Sequence, residues 1–241
     1  MLVSVVPAWA APPANGPPAA VLPTCLRRPV ALAISADGRW LSVANRRSGT
    51  ISTVDTETRN VVGEAAVGRV LADLVGLPDG RLLAVDEAEA QLVLLASGGP
   101  ALRVADRLAV AATPVSVCVS SDGKRAAVAS LWPRRVTLVE VPGSARAQGG
   151  DANDVASLHT ARVVAVPFAP RKLQFAGSGD KLVVADAFDG GLALVDMTNG
   201  ELVSTWKLPA HNIRGLASGH DGRNAVLLLA HQVLNPLART D

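Results

Sequence analysis

The sequence predicts an all-β protein, a β-propeller of four-stranded antiparallel blades. Asp-Gly pairs recur along the chain at intervals of 42, 43 and 99 residues, beginning at Asp37, Asp79, Asp122 and Asp221. A degenerate copy, Gly179-Asp180, divides the last interval. A repeat in the low forties is typical of propeller blades or of helical arrays. Because the runs between the turns are short, rich in β-branched residues and partly alternating, they indicate strands.

The first copy shows the four parts of one blade. Apolar runs at 30–36 and 39–45 flank the first Asp-Gly pair, and further runs follow at 50–55 and 61–67. Asp-Gly favours a tight hairpin because both central residues of the preferred two-residue turn need positive φ. The later copies fit the same frame. We therefore expect the innermost strands side by side about one axis, near residues 30–35, 71–76, 114–119, 172–177 and 213–218.

The second strand of the first copy carries a family resemblance. Val43-Ala44-Asn45, ten residues before Asp55, resembles the YVTN-type β-propeller repeat, and the match extends over about residues 28–241. Ser42 stands where the family has an aromatic residue, and later copies replace Asn45 by Asp86, Ser130, Asp186 and His231. The resemblance implies an exported propeller, usually with seven blades. Such domains occur alone or fused to c-type cytochrome or haem-binding modules.

The number of repeats predicts an incomplete ring. Four copies are complete, and the fifth reaches Asp241 just after its second strand. Seven blades of this size would need ~290 residues, and an open ring leaves unpaired strand edges. We therefore expect the front part of a seven-bladed protein, truncated in the fifth repeat. The alternative is a complete protein of five divergent blades, closed by residues 19–26 as an outer strand.

The amino-terminal residues point to export. Residues 1–10 resemble the remnant of a signal peptide, with an apolar start and the small-x-small site Ala8-Trp9-Ala10. Residues 11–27 are a Pro-rich linker that includes the possible outer strand, and residues 28–241 hold the blades. No later run approaches the ~18 apolar residues of a membrane helix. We expect a periplasmic or secreted protein without a transmembrane segment.

Composition and motifs argue against several functions. The formal net charge is +2, charged residues make up 18% and aromatic residues 3%, which does not favour nucleic-acid binding. The sequence lacks Cys-x-x-Cys-His, Gly-x-Ser-x-Gly, a phosphate loop and His-Glu-x-x-His. No cofactor is evident in this chain, and a noncatalytic role is favoured over an enzymatic one.

One face of a propeller gathers the loops around the channel mouth. The loops between second and third strands contribute Arg46, Arg47, Glu87, Trp132, Arg134, Arg135, Phe188, Asp189 and His231. Nearer the axis lies a basic set, Arg28, Arg69, Arg171, Lys172 and Arg214. This set predicts attraction of an anion or of an acidic patch on a redox partner. The competing interpretation is a group of solvated charges, because these residues stand at different distances from their turns and need not point the same way.

Two histidines form the second candidate site. His211 and His231 are equidistant from Asp221, and symmetric pairing to the strand ends would place their Cβ atoms ~4.5–5.5 Å apart. Such a pair could share a transition metal, or one imidazole could bind haem in the full-length protein. The surrounding residues 211–216 and 230–235 also resemble a pattern in cytochrome-associated YVTN propellers. The alternative is that both histidines only cap the hairpin.

Three functions remain open. The favoured one is a noncatalytic binding or scaffolding propeller of the cell envelope, with a protein or polymer partner at its face. The second is the propeller portion of a haem-associated redox protein whose cytochrome module follows Asp241, which predicts Cys-x-x-Cys-His downstream in the gene. The third is a lactonase-like hydrolase. It needs several inward-facing carboxylates or amides, and only Asp73 and Gln174 are evident in the inner strands.

Overall fold

The structure is a computed structural model that describes residues 26–143, 157–177, 179–221 and 224–232. All regular secondary structure in these segments is β-strand. The predicted signal-peptide remnant at 1–10, and the linker at 11–27 except its last two residues, lie outside the described residues. None of the described segments contains a helix of the length and apolarity needed to cross a bilayer.

Four sheets each contain four consecutive antiparallel strands. The first sheet consists of β1 (Pro29–Ile34), β2 (Trp40–Asn45), β3 (Thr50–Asp55) and β4 (Asn60–Ala66). The second consists of β5 (Leu71–Gly76), β6 (Leu82–Asp86), β7 (Gln91–Gly98) and β8 (Ala101–Ala109). Strand order within each sheet follows chain order, which is the arrangement of a propeller blade.

The remaining strands repeat this arrangement. The third sheet consists of β9 (Pro114–Val119), β10 (Arg125–Ser130), β11 (Arg135–Glu140) and β12 (His159–Ala165). The fourth consists of β13 (Pro170–Ala176), β14 (Lys181–Asp186), β15 (Gly191–Asp196) and β16 (Leu202–Lys207). A two-stranded sheet follows, formed by β17 (His211–Asp221) and β18 (Asn224–Gln232). The predicted blades are thus confirmed.

The innermost strands β1, β5, β9, β13 and β17 pack against one another in this order. This is the predicted side-by-side arrangement. Each boundary between neighbouring sheets encloses a buried apolar cluster, for example Ile51 with Leu71 between the first two sheets and Leu138 with Phe175 between the third and fourth. Similar clusters fill the other two boundaries. Because the central strands are covered on both faces, β6 is buried along its whole length. Its residues therefore do not alternate between buried and exposed positions.

The Asp-Gly turns differ from the predicted two-residue hairpin turn. Positive φ occurs at Gly38, Gly80 and Gly123 but not at the preceding Asp residues. In the first turn, the Gly38 amide donates to the Ser35 carbonyl, and the Asp37 carboxylate accepts from the Arg39 amide. The aspartate is therefore held in an ordinary backbone conformation by its own side-chain bond, and only glycine enters the left-handed region.

Candidate functional site

Every innermost strand contains a β-bulge near its start. The register shifts between Pro29 and Ala31, between Leu71 and Asp73, between Pro114 and Ser116, and between Pro170 and Lys172. In β17 the shift is wider and lies between His211 and Gly215. A bulge leaves a residue without a partner on the neighbouring strand and re-aims its side chain. The unpaired residues are Val30, Ala72, Val115 and Arg171, together with residues 212–214 of the wider bulge.

One unpaired residue of every bulge lines a single cavity of about 520 Å³, and in the wider bulge this residue is Arg214. Strands from all four blades and from the two-stranded sheet contribute to it, so it lies where the innermost strands converge. Its other lining residues are Arg28, Arg46, Asp73, Glu87, Leu131 and Lys172. The five basic side chains outnumber the two carboxylates, which makes the cavity cationic.

The two carboxylates in the cavity already have cationic partners. Arg46 Nη2 lies 2.5 Å from Glu87 Oε2, and Lys172 Nζ lies 3.9 Å from Asp73 Oδ2. Among the described residues, no carboxylate forms an ion pair with Arg28, Arg171 or Arg214. These three guanidinium groups are the cavity's uncompensated charge.

Arg171 shows the electrostatic cost of this arrangement. Burial holds the pKa of its guanidinium below the usual range, and the positive charges of Arg214 and Arg46 lower it further. The negative charge of Glu87 opposes these effects. A negative charge entering the cavity would oppose both effects, as Glu87 does, because it favours the charged form of the guanidinium.

The predicted basic set is divided by the structure. Arg28, Arg171, Lys172 and Arg214 line the cavity, whereas Arg69 does not. The side chain of Arg69 is 76% exposed and pairs with Glu89 at 3.1 Å. Sequence reasoning placed Arg46 and Glu87 among the outer loops, but both reach the cavity. The bulges explain how Arg171 and Arg214 share it: they shift the register at the strand start, which strand periodicity does not reveal.

The last residues of two second strands, β6 and β14, hold the adjoining loops by side-chain hydrogen bonds. Asp86 is fully buried, and its carboxylate accepts hydrogen bonds from the amides of Arg69, Val70, Ala88 and Glu89. Asp186 accepts from Phe188 and Asp189 in the same way. These residues occupy the position where the first copy has Asn45. The Asn45 side-chain amide instead donates to the Thr50 and Ser52 hydroxyls of β3.

The histidine pair does not have the symmetric geometry expected from the sequence. Asp221 pairs with Asn224, so the turn is displaced towards the carboxyl end, and His211 lies opposite Gln232. His231 lies opposite the wide bulge, and both histidines are exposed. The expected direct His211–His231 opposition is therefore wrong at the level of register, since three residues of β17 face one of β18. Metal or haem binding by the pair stays a prediction.

Asp73, the inward-facing carboxylate considered for a hydrolase, forms hydrogen bonds to the backbone of its own and the next blade. Asp73 Oδ2 accepts a hydrogen bond from the Val117 amide of the next blade at 3.1 Å, and Oδ1 accepts from the Leu74 amide. Nearby, burial raises the pKa of the Cys118 thiol far above its usual range, and Asp73 raises it further. Within the described part of the chain, no group of three or more His, Cys, Asp or Glu residues is placed to hold a metal ion.

Comparison with known proteins identifies the fold. No family model matches the chain, and no curated protein matches it. Among solved structures, hydrazine synthase from Kuenenia stuttgartiensis superimposes with a TM-score of 0.69 at 19% sequence identity, covering 89% of this chain and 59% of that chain. The chain therefore spans less than two thirds of that neighbour's length. The likeness shows the fold, and membership of the YVTN family stays a prediction.

Proposed function

We propose that this chain is an exported, noncatalytic β-propeller of the cell envelope that binds an anionic group of its partner in the cationic cavity. The observation that carries the proposal is the convergence of Arg28, Arg171 and Arg214 on one cavity without a carboxylate partner among the described residues. Arg28 and Arg214 are exposed, and Arg171 is half-buried. The cost of an unpaired charge is therefore clearest at Arg171, where burial and neighbouring cations act together. Solvated loop charges, the competing interpretation, would be spread over the surface as Arg69 is.

The geometry suits recognition of a carboxylate or a similar oxyanion. A guanidinium donates two parallel hydrogen bonds to such a group, and these charge-assisted bonds are about twice as strong as neutral ones. The walls of the recess also exclude water on several sides and concentrate the field at the mouth. In this proposal the protein binds the anion and catalyses no reaction.

Export and ring size complete the proposal. Export is supported by residues 1–10 and is tested by cell fractionation of the native protein. A seven-bladed ring is what the resemblance to the YVTN-type repeat implies, and it is tested on the protein encoded by the whole gene. The haem-associated alternative requires Cys-x-x-Cys-His downstream of Asp241.

Citrate is a suitable first probe, because its three carboxylates match three guanidinium groups. Isothermal titration calorimetry at low ionic strength should show binding that weakens as sodium chloride is added. Arg171→Ala and Arg214→Ala should each reduce the affinity about 10-fold, as expected for a lost charge-assisted bond. Arg69→Ala is the matched control, because it removes an arginine of the predicted set that lies outside the cavity. Equal effects of the three substitutions would refute the proposal.

A further inference from the structure

Two exposed aromatic residues stack on the loop face of the third and fourth blades. The ring centroids of Trp132 and Phe188 are 5.9 Å apart, and their planes differ by 25°. Trp132 is 66% exposed and Phe188 51% exposed. Large aromatic residues are costly to leave in water, and an exposed apolar patch of this kind marks an interaction surface.

The aromatic pair adjoins the cationic cavity. Trp132 directly follows Leu131, which lines the cavity. The Phe188 carbonyl accepts a hydrogen bond from the Asn212 amide, two residues before Arg214. The pair therefore lies at the rim of the same mouth, between the third blade and the start of β17.

Hydrogen bonds and a small apolar cluster hold the two loops that carry the pair. The Leu131 amide donates to the Thr113 carbonyl, and the Ala187 amide donates to the Ala169 carbonyl. Leu131 and Ala187 are buried together with Ala169, which precedes β13. Exposed aromatic residues on anchored loops are typical of protein interfaces, where truncating one such residue removes much of the affinity.

We propose that Trp132 and Phe188 extend the cationic cavity into a docking surface for an acidic protein segment. Its carboxylates enter the cavity, and an adjacent large apolar side chain covers the aromatic pair. This inference rests on the proposed function of the cavity and names its partner. Charge complementarity selects an acidic segment. The two stacked rings present an apolar surface, which favours an apolar side chain of a protein as the adjacent contact.

The test compares three probes on the full chain by fluorescence anisotropy. The first probe is a fluorescein-labelled hexapeptide of Glu alone, and the second replaces its two central residues by Leu and Phe. The third is an oligogalacturonate with six carboxylates. The second probe should bind about 10- to 30-fold more tightly than the first, although it carries fewer charges.

The variants separate this inference from the proposed function. Trp132→Ala and Phe188→Ala should remove the preference for the apolar acidic peptide and leave the affinity for hexaglutamate unchanged. Arg171→Ala should weaken both peptides. Trp206→Ala is the matched control, because this Trp is 48% exposed but lies on β16, away from the cavity. It should change neither affinity.

Each contrary outcome has a distinct meaning. If Arg171→Ala weakens hexaglutamate binding but Trp132→Ala has no effect on either peptide, the docking surface is refuted while the anion site stands. If the oligogalacturonate binds most tightly and depends on Trp132, the partner is an acidic polysaccharide and the inference is overturned. If no probe responds to Arg171→Ala, the proposed function itself fails.

Discussion

Replacing Asp86 by Ala should destabilise the protein more than any comparable change at the cavity mouth. The buried carboxylate accepts four backbone hydrogen bonds, at 2.8 Å from Arg69, 3.1 Å from Val70, 3.1 Å from Ala88 and 3.4 Å from Glu89. Each lost bond leaves a backbone donor without its acceptor, at about 1 kcal/mol. The expected loss in free energy of unfolding is therefore about 4 kcal/mol.

The equivalent residues of the next blades provide a graded comparison. Asp186 accepts two amide bonds, and Ser130 donates one bond to the Ala111 carbonyl. On the same scale, Asp186→Ala should cost about 2 kcal/mol and Ser130→Ala about 1 kcal/mol. Urea denaturation followed by circular dichroism measures all three. Equal losses at the three positions, or a smaller loss at Asp86 than at Asp186, would show that bond number does not determine the cost.

A second substitution tests how closely Gly68 packs against the Asp86 side chain. A Cβ built on Gly68 would lie 2.2 Å from Asp86 Oδ2, so Gly68→Ala should cost about 1–3 kcal/mol through steric overlap. Asp86→Ala removes the two closest atoms, Oδ2 and Cγ, and leaves only a contact of 3.2 Å with its Cβ. The double-mutant cycle should therefore show that the two losses do not add. Additive losses would mean that the loop at Gly68 does not rest on this carboxylate.

Three further predictions follow from the described contacts. The pKa of Asp196 is lowered to about 2 from its ordinary value of 3.8, first by the Lys181 side chain and then by the Thr198 amide. The stabilisation by the ionised Asp196 carboxylate is therefore present above about pH 4 and is lost towards pH 2. Asp196→Asn should accordingly lower the urea midpoint at pH 7 but not at pH 2. Leu32 and Ile34 are each 62% exposed on β1, and this exposed apolar surface should favour self-association. Leu32→Ser together with Ile34→Ser should therefore reduce self-association in analytical ultracentrifugation. Leu202→Ser on β16 is the control and should not reduce it. Joint metal ligation by His211 and His231 predicts cobalt binding that either Ala substitution abolishes and that His159→Ala leaves intact. This binding should weaken in acid, because protons compete with the metal for the imidazole nitrogens.

The sequence predicts the blades well because their signals are local. Each Asp-Gly turn and each apolar run marks its own strand, and the expected innermost strand at 71–76 coincides with β5. The histidine pair shows the limit of this reasoning. Counting outward from Asp221 assumes a turn centred on that residue and an uninterrupted ladder. Asp221 instead pairs with Asn224, and the bulge between His211 and Gly215 then places His211 opposite Gln232. Bulges depend on how two strands pair, so a single strand's residue pattern does not contain them.

The bulges also explain how one fold can carry different sites. At the same unpaired position, Ala72 and Val115 pack partly against the apolar clusters, whereas Arg171 and Arg214 bring charge to the cavity. The ladder bonds on either side are kept in both cases, because the bulged residue has no partner to lose. A change of side chain at this position therefore alters the chemistry of the cavity while leaving the pairing of the blade intact. Two of the five basic side chains in the cavity, Arg171 and Arg214, thus come from positions that strand periodicity does not reveal.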